Sequence, residues 1–227
     1  MADCSTVEPA DRDQTTPYDE LAEHAAAAAA IRRLAHALYG RRLTAALATR
    51  IADEANELAA LVEGLEARER PLVDPSTGPR LPLSKDVPKF ERTLYRESMV
   101  SGDLNALGID VDIWEEPGKV AAAEVTLGRA FEGAPGRSHG GIVASIFDEV
   151  LGAVPPIQGH PAYTGQLDVT YRAGTPIGEL LTCRAWLESK DGRKMLVKGE
   201  LRAGEVLLAE ASALFITVEL SRFANRP

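Results

Sequence analysis

The spacing of hydrophobic residues divides the chain into two parts, the first with the period of helices and the second with the period of β-strands. Over residues 16–70 apolar side chains recur every three or four positions, as in amphipathic helices. Thr16 can cap the first helix, Pro17 suits its first position, and Gly40 indicates a break. The pattern predicts a helical hairpin whose apolar faces carry Ile31, Leu34 and Leu38 before the break, and Leu47, Ile51, Ala55, Leu58, Val62 and Leu65 after it. We expect the hairpin to pack on its own domain, because the second stripe is too short for a self-associating coiled coil.

From about Gly108 the apolar positions alternate with polar ones, which predicts half-buried strands. The residues KDGR at 190–193 indicate a tight hairpin turn between two of these strands. With residues 109–115 and 120–127 there are about six strands, and one helix over 139–153 interrupts them after the second, which is an α+β order. The alternating apolar rows are Leu167, Val169 and Tyr171; Leu181, Cys183, Ala185 and Leu187; and Leu207, Ala209, Ala211, Ala213 and Phe215.

The remaining segments are interpreted as connections and tails. Five prolines between residues 69 and 89 predict a linker or an extended strap over 71–100 rather than a packed element. Residues 1–15 are expected to be a disordered tail, and residues 221–227 a second tail. The sheet domain then occupies about 101–220.

Composition and charge narrow the class of protein. The net charge of -9, without a block of Lys and Arg, argues against a nucleic-acid partner, because phosphate contacts need a basic face. Cys4 and Cys183 offer neither a disulfide framework nor a metal-ligand spacing, which favours a reducing cytoplasm and no metal. The acidic N-terminus lacks the apolar segment of a secretory signal, and no stretch approaches the roughly 20 apolar residues of a membrane span. We therefore expect a soluble cytoplasmic protein that does not insert into membranes.

The predicted helix begins unusually, in the stretch SHGGIVASIFDEVLG. At 100° per residue, one broad apolar face should lie on the sheet, formed by Ile142, Val143, Ile146, Val150 and Leu151. The opposite face carries Asp148 among small residues, Gly141, Ser145 and Gly152. At the helix start, Gly140 and Gly141 would let a carbonyl oxygen reach free backbone N–H groups, which can stabilise an oxyanion. Asp148 could then attack as a nucleophile or activate water.

The spacing between these two groups predicts a dimer. Gly140 and Asp148 are eight residues apart, which is about 12 Å along a helix axis at 1.5 Å per residue. One carbonyl group needs its hydrogen-bond donor and its attacking oxygen each within roughly 3 Å. Two antiparallel helices related by a twofold axis meet this need, because Asp148 of one chain would face Gly140 of the other.

These residues resemble a known family. The segments HGGIVASIFDEVLG and YTGQLDVTYRAGTPIG are similar to those of hotdog-fold acyl-CoA thioesterases of the phenylacetyl-CoA thioesterase type. The resemblance spans about residues 101–220 and implies a hotdog fold, in which an antiparallel sheet wraps a central helix. The family pattern is matched by His139, Asp148, Thr164, Tyr171, Arg172 and Pro176. This chain departs from the family in one extra residue between Arg172 and Pro176.

The resemblance also implies roles for individual residues. The Gly140 N–H would polarise the thioester carbonyl, and Gly141 would keep the approach open. Asp148 of the neighbouring chain would attack or activate water, and Thr164 would position water or substrate. His139 would orient the helix start or take a direct chemical role. The implied reaction is hydrolysis of acyl-CoA by a homodimer or a dimer of dimers, without cofactor or metal.

Substrate binding needs basic side chains, because coenzyme A carries phosphates. The predicted substrate-binding residues are Arg172, Lys190, Arg193, Lys194 and Ser145, although solvated turn charges are an alternative interpretation of each basic residue. Two other functions remain open. Hotdog folds also include enoyl-thioester hydratases and dehydratases, for which His139 and Asp148 would serve, and a non-catalytic acyl-CoA-binding protein is the third class.

Overall fold

In the computed structural model, residues 17–67, 84–89 and 96–218 are described. The predicted cap Thr16, both tails and most of the proline-rich segment lie outside these ranges. The helix α1 spans Pro17–Tyr39, and α2 spans Ala45–Glu63. The chain therefore breaks near Gly40, as predicted.

An antiparallel sheet of six strands follows, as the alternation predicted. Its spatial order is β1-β2-β6-β7-β8-β5, which leaves β1 and β5 at the two edges. Two short strands, which the sequence pattern did not indicate, form a separate hairpin before the central helix. The strands are β1 Asp112–Glu116, β2 Val120–Thr126, β3 Glu132–Ala134, β4 Arg137–Ser138, β5 Ala162–Tyr171, β6 Leu180–Asp191, β7 Lys194–Ala203 and β8 Val206–Thr217.

The predicted hairpin turn at KDGR is confirmed. Asp191 pairs with Lys194 across the turn, and Gly192 between them has φ 54°, a left-handed conformation that favours glycine. The first predicted strand begins later than expected, at Asp112 instead of residue 109, because Asp110 also has a left-handed backbone, with φ 69°. Ile109 nevertheless stays buried in the core.

The central helix, α3 (Gly140–Ile157), packs lengthwise on the sheet. Val143, Ile146, Val150 and Leu151 are buried, and Ile142 is half-buried, so the predicted apolar face is confirmed. An antiparallel sheet around one central helix is the hotdog arrangement, and the predicted fold class is therefore confirmed. Of the described helices α3 alone is long and apolar enough to cross a membrane, and its burial against the sheet accounts for that composition.

Two details of α3 differ from the sequence prediction. The helix continues to Ile157, beyond the predicted end at residue 153, and contains Pro155 and Pro156 in its last turn. A proline there forfeits a backbone hydrogen bond. The helix still continues because Val154 and Pro155 are buried, so apolar packing offsets the lost bonds.

The N-terminal helices pack differently from the prediction. The face of α1 that contacts the sheet domain carries Ala28, Arg32 and His36, whereas Ile31 and Leu34 are 53% and 45% exposed. Arg32 explains this orientation, because its guanidinium donates to backbone carbonyl groups of the 96–111 segment and thereby fixes the polar face inward. Helix α2 has no buried residue in this single chain and ends at Glu63, before the predicted limit near residue 70. Leu65, predicted as part of its stripe, lies beyond the helix end.

Candidate functional site

The start of α3 presents one backbone donor. His139 caps the helix, since its Nδ1 accepts a hydrogen bond from the Gly141 N–H at 3.0 Å. The Gly141 N–H is therefore already engaged in a hydrogen bond within the chain. Among the residues that the structure describes, none accepts from the Gly140 N–H. The amide of Gly140 is therefore the donor that the helix start offers to a ligand oxygen.

Tyr171 lies against this donor, although it was not among the predicted site residues. Its hydroxyl donates to the Gly140 carbonyl at 2.8 Å. A Cβ added at Gly140 would stand 3.3 Å from the Tyr171 hydroxyl oxygen, so the ring closes one side of the helix start. The alternation had placed Tyr171 on the inward row with Leu167 and Val169, which was the signal that it could reach the helix.

Asp148 lies two turns further along α3, on its exposed face. Its Oδ1 accepts a hydrogen bond from the Thr164 hydroxyl at 2.9 Å. Within the described part of the chain Thr164 is its one hydrogen-bond partner. The structure thus joins two residues that the sequence had singled out separately, and it holds the carboxylate in a fixed direction.

A bulge in β5 brings Thr164 to the helix. Strict alternation from Leu167 and Val169 would put Thr164 on the opposite face of the sheet. The register against β8 shifts between Thr164 and Gln166, which leaves Gly165 as an extra residue and reverses the side-chain order. A glycine inside a strand was the available signal for this bulge.

These groups form two half-sites in one chain. Gly140 and Tyr171 meet where α3 begins and β5 ends, while Asp148 and Thr164 meet near the beginning of β5. The separation along α3 is about 12 Å at 1.5 Å per residue. Neither half-site alone holds both an oxyanion donor and a carboxylate.

A cavity of about 430 Å³ opens beside the first half-site. It includes Arg172, whose guanidinium pairs with Glu210 at 2.8 Å and stays more than half exposed. A carbonyl oxygen in this cavity would be next to the helix start, and an anion would meet Arg172. The lining residues are Ser138, Gly140, Val143, Tyr171, Arg172, Ala173, Gly174 and Thr175.

The other predicted substrate-binding residues lie elsewhere. Lys190, Arg193 and Lys194 are exposed in or beside the β6–β7 turn, near the second half-site. The Arg193 guanidinium donates to the Thr217 carbonyl at 3.1 Å, which leaves part of the guanidinium for other contacts. The Ser145 hydroxyl donates to the Gly141 carbonyl at 2.9 Å and so is engaged within its own helix.

A hollow of about 450 Å³ lies on the outer face of the sheet, away from both half-sites. Its charges neutralise one another: Arg202 pairs with Glu200 at 3.0 Å, and Arg184 pairs with Glu116. Cys183 borders it only through its strand, because its side chain lies in the buried core; burial, followed by the charge of Glu200, raises the pKa of its thiol. The thiol therefore stays protonated and is a poor nucleophile.

Comparison with known proteins agrees with this geometry. The thioesterase superfamily model matches residues 136–210, a segment that contains every predicted site residue. Acyl-coenzyme A thioesterase THEM4 of Mus musculus is 32% identical over 106 residues, and the match covers 44% of this chain and 46% of the relative. THEM4 of Xenopus laevis is 33% identical over 91 residues, covering 39% and 41%. The chain thus spans less than half the length of these two curated relatives.

A solved structure described as a thioesterase superfamily protein is similar over far more of the chain. It shares 31% sequence identity with a TM-score of 0.72, and the match covers 85% of this chain and 90% of that chain. This coverage exceeds the sheet domain alone, so it includes part of the N-terminal region. Fold, family model and relatives agree, and the chain belongs to the thioesterase superfamily.

Proposed function

We propose that this protein hydrolyses acyl-CoA thioesters to the free acid and coenzyme A, as a homodimer with two shared sites and without metal or cofactor. The observation that carries the proposal is the division of the machinery into half-sites. The Gly140 N–H and the Asp148–Thr164 pair lie about two turns of α3 apart, too far for one chain to bring both to the same carbonyl group. The names of the curated relatives support the reaction class.

The edge strand β5 supports the proposed dimer. Among the described residues no strand lies beside its outer backbone N–H and C=O groups, and such an edge readily pairs with another strand. An antiparallel copy of β5, related by a twofold axis near residues 167 and 168, would set Thr164 of one chain beside Tyr171 of the other. Gly140 of the first chain would then face Asp148 of the second.

The proposed reaction follows from these positions. The thioester carbonyl accepts from the Gly140 N–H, where the helix dipole stabilises the negative charge that develops on the oxygen. Asp148 of the second chain either removes a proton from the attacking water or attacks the carbonyl carbon itself. In the first case the coenzyme A thiolate leaves and takes up a proton. In the second case the carboxylate displaces the coenzyme A thiolate, which takes up a proton, and water then hydrolyses the resulting mixed anhydride to the free acid and the Asp148 carboxylate. Thr164 positions the carboxylate in both.

The basic residues suit this dimer. In one chain Arg172 and the 190–194 turn lie near opposite ends of β5. Antiparallel pairing of two chains would bring Arg172 of one near Lys190, Arg193 and Lys194 of the other. Together they would offer the positive rim that phosphates of coenzyme A need. Arg172 would then share its charge between Glu210 and the substrate.

The rival hydratase needs a basic histidine, and the geometry of His139 disfavours it. Its Nδ1 is occupied by the Gly141 N–H, so the neutral ring carries its proton on Nε2 and has no second basic nitrogen. A panel of acyl-CoA esters separates the three functions. The proposed enzyme releases free thiol; a hydratase changes the enoyl chromophore without releasing thiol, and a binding protein gives neither signal. The same panel measures the preferred acyl length.

Variants of Asp148 and Gly140 test the roles. Asp148→Ala should reduce kcat at least about 100-fold, as expected for loss of a catalytic base or nucleophile. Glu115→Gln, which alters an exposed carboxylate on the opposite edge strand, should leave kcat unchanged. Full thiol release by a folded Asp148→Ala variant would remove Asp148 from the mechanism.

Gly140 permits a substitution that removes only the donor. Proline suits the first helical position but lacks the N–H, whereas alanine adds a Cβ and keeps the N–H. Gly140→Pro should lower kcat by about 100- to 1000-fold, as for loss of an oxyanion donor. Gly140→Ala controls for the added contact with Tyr171 and should retain most of the activity. Equal losses in both variants would attribute the effect to that contact.

A further inference from the structure

The N-terminal helix α1 contacts the sheet domain through one histidine. The Nδ1 of His36 accepts a hydrogen bond from the Ala130 N–H at 3.0 Å. The ring also lies edge-on to Phe131, with ring centroids 4.9 Å apart at 77°. Both partners belong to the 3₁₀ turn Arg129–Phe131, which follows β2. The imidazole thus contacts both the backbone of the turn and one of the turn's aromatic side chains.

The turn is built to receive this ring. A Cβ placed on Gly128 would come within 2.4 Å of the His36 Nδ1, so any residue larger than glycine would displace the imidazole. Helix α1 is held in the matching position by Arg32, whose Nη1 donates to the Asn105 carbonyl at 2.6 Å. Ala28, one turn earlier, is buried on the same face. Independent contacts therefore fix His36 against this turn.

The same turn reaches the start of α3. The Phe131 carbonyl accepts a hydrogen bond from the His139 N–H at 2.8 Å. His139 in turn caps α3 and is followed directly by Gly140. A continuous path of contacts thus runs from the His36 imidazole through Phe131 and His139 to the Gly140 amide.

We propose that His36 is a positioning residue for thioester hydrolysis, and that helix α1 sets the oxyanion donor through it. The inference rests on the proposed function, because it assigns the Gly140 N–H to the substrate carbonyl. His36 touches no reacting atom in this account. Its acceptor Nδ1 keeps the 3₁₀ turn, and hence the His139 backbone, in the geometry that aims the Gly140 amide.

The proton state of His36 controls this contact. Neutral imidazole can accept at Nδ1, whereas the imidazolium has an N–H on both nitrogens and cannot. The charged groups near the contact are Arg32 on α1, and Arg129 with Glu132 in and after the turn; the last two are 3.9 Å apart. Burial, and then the charge of Arg32, lowers the pKa of His36 from its ordinary value.

Lowering the pH should destabilise the folded chain through His36. Well above the ordinary pKa, the ring is neutral in the folded and the unfolded chain, and the contact is complete. As the pH falls below that value, the unfolded chain binds the proton first, so the folded state loses stability. The loss ends once the pH is below the lowered folded pKa. Protonation of folded His36, which breaks the bond to Ala130, occurs only around that lowered pKa.

Two substitutions separate the acceptor from the ring. His36→Asn places an amide oxygen near the former Nδ1 and has no titrating ring. His36→Phe keeps an aromatic ring against Phe131 but removes the acceptor. We expect kcat of His36→Phe to fall about three- to tenfold, the range for one lost hydrogen bond, with KM for acyl-CoA changed by less than about twofold. His36→Asn should keep kcat within about twofold of the wild type.

The pH profile and hydrogen exchange complete the test on the full chain. Between about pH 7.5 and about pH 4.5, the ratio of wild-type to His36→Asn kcat should decline, mostly below the ordinary histidine pKa of about 6.5, because the folded pKa is lowered and only the wild type loses its acceptor. Amide exchange across residues 128–139 should be faster in His36→Phe than in the wild type. A constant kcat ratio, or a His36→Phe variant equal to the wild type in kcat and exchange, would overturn the inference. A wild type that releases no thiol refutes the proposed function instead, while exchange still reports whether His36 holds the turn.

Discussion

The helix of the sheet domain and the N-terminal helices have similar amphipathic patterns but bury different faces. Helix α3 buries its apolar face on the sheet, where Ile146 and Leu151 are fully buried. Helix α1 instead turns its polar face inward, with Arg32 hydrogen-bonded to backbone carbonyl groups, and leaves Ile31 exposed. Helix α2 buries nothing in the single chain. Hydrophobic periodicity thus identifies a helix, but it does not say what covers the apolar face.

The largest change in the free energy of unfolding should appear when a buried side chain of α3 is shortened. Ile146→Ala should lower the free energy of unfolding by about 2–5 kcal/mol, because the surrounding core can only partly fill the cavity. Urea denaturation followed by circular dichroism measures the change. Ile146→Val is the matched control and should cost about 0.5–1.5 kcal/mol. If Ile146→Ala cost no more than this control, α3 would not be the centre of the core.

A smaller effect is expected where α1 docks through polar contacts. Arg32→Ala removes the hydrogen bonds to the Asn105 and Asp103 carbonyl groups and should cost about 1 kcal/mol, since the guanidinium is only half-buried. Amide exchange along α1 should accelerate in parallel. Arg33→Ala, at the exposed neighbouring position, should change neither quantity. Equal behaviour of the two variants would contradict the polar docking of α1.

The smallest effect is expected in α2. Leu58 is 64% exposed, so Leu58→Ala should change the free energy of unfolding by less than about 0.5 kcal/mol. Denaturation at several protein concentrations provides the measurement. A cost above about 1 kcal/mol that grows with protein concentration would show that another chain covers this face, and the contrast between the two regions would then hold only for a single chain.

The sequence was sufficient to predict the fold and to identify which face of the central helix packs on the sheet. Period-two alternation, the turn at 190–193 and the apolar face of α3 depend on local patterns, and the structure agrees with each. The contact between Thr164 and Asp148 was not predictable from alternation, because the bulge at Gly165 reverses the order of side chains. His36 was also missed. Its partners, the Ala130 N–H and the Phe131 ring, lie more than 90 residues away, and no sequence pattern records such contacts.

The sequence also left the shape of the acyl pocket open, and three aromatic residues illustrate why. By residue type alone, the large side chains of Phe131, Phe147 and Tyr163 are candidates for limiting the depth of an acyl tunnel. Phe147 is fully buried in the core under α3, whereas Tyr163 is 60% exposed on the edge strand. Phe131 lies half-buried against His36. Their different environments depend on tertiary packing, which residue type alone does not specify.

Complementation between two inactive variants tests the shared site most directly. Asp148→Ala and Gly140→Pro chains are purified separately, mixed in equal amounts, reversibly dissociated and reassociated, and assayed for thiol release. In a mixed dimer one site pairs an intact Gly140 with an intact Asp148, so random reassociation should restore about one quarter of wild-type activity. Activity no higher than that of either variant alone, with mixed dimers demonstrated by mass spectrometry, would contradict a site that two chains share.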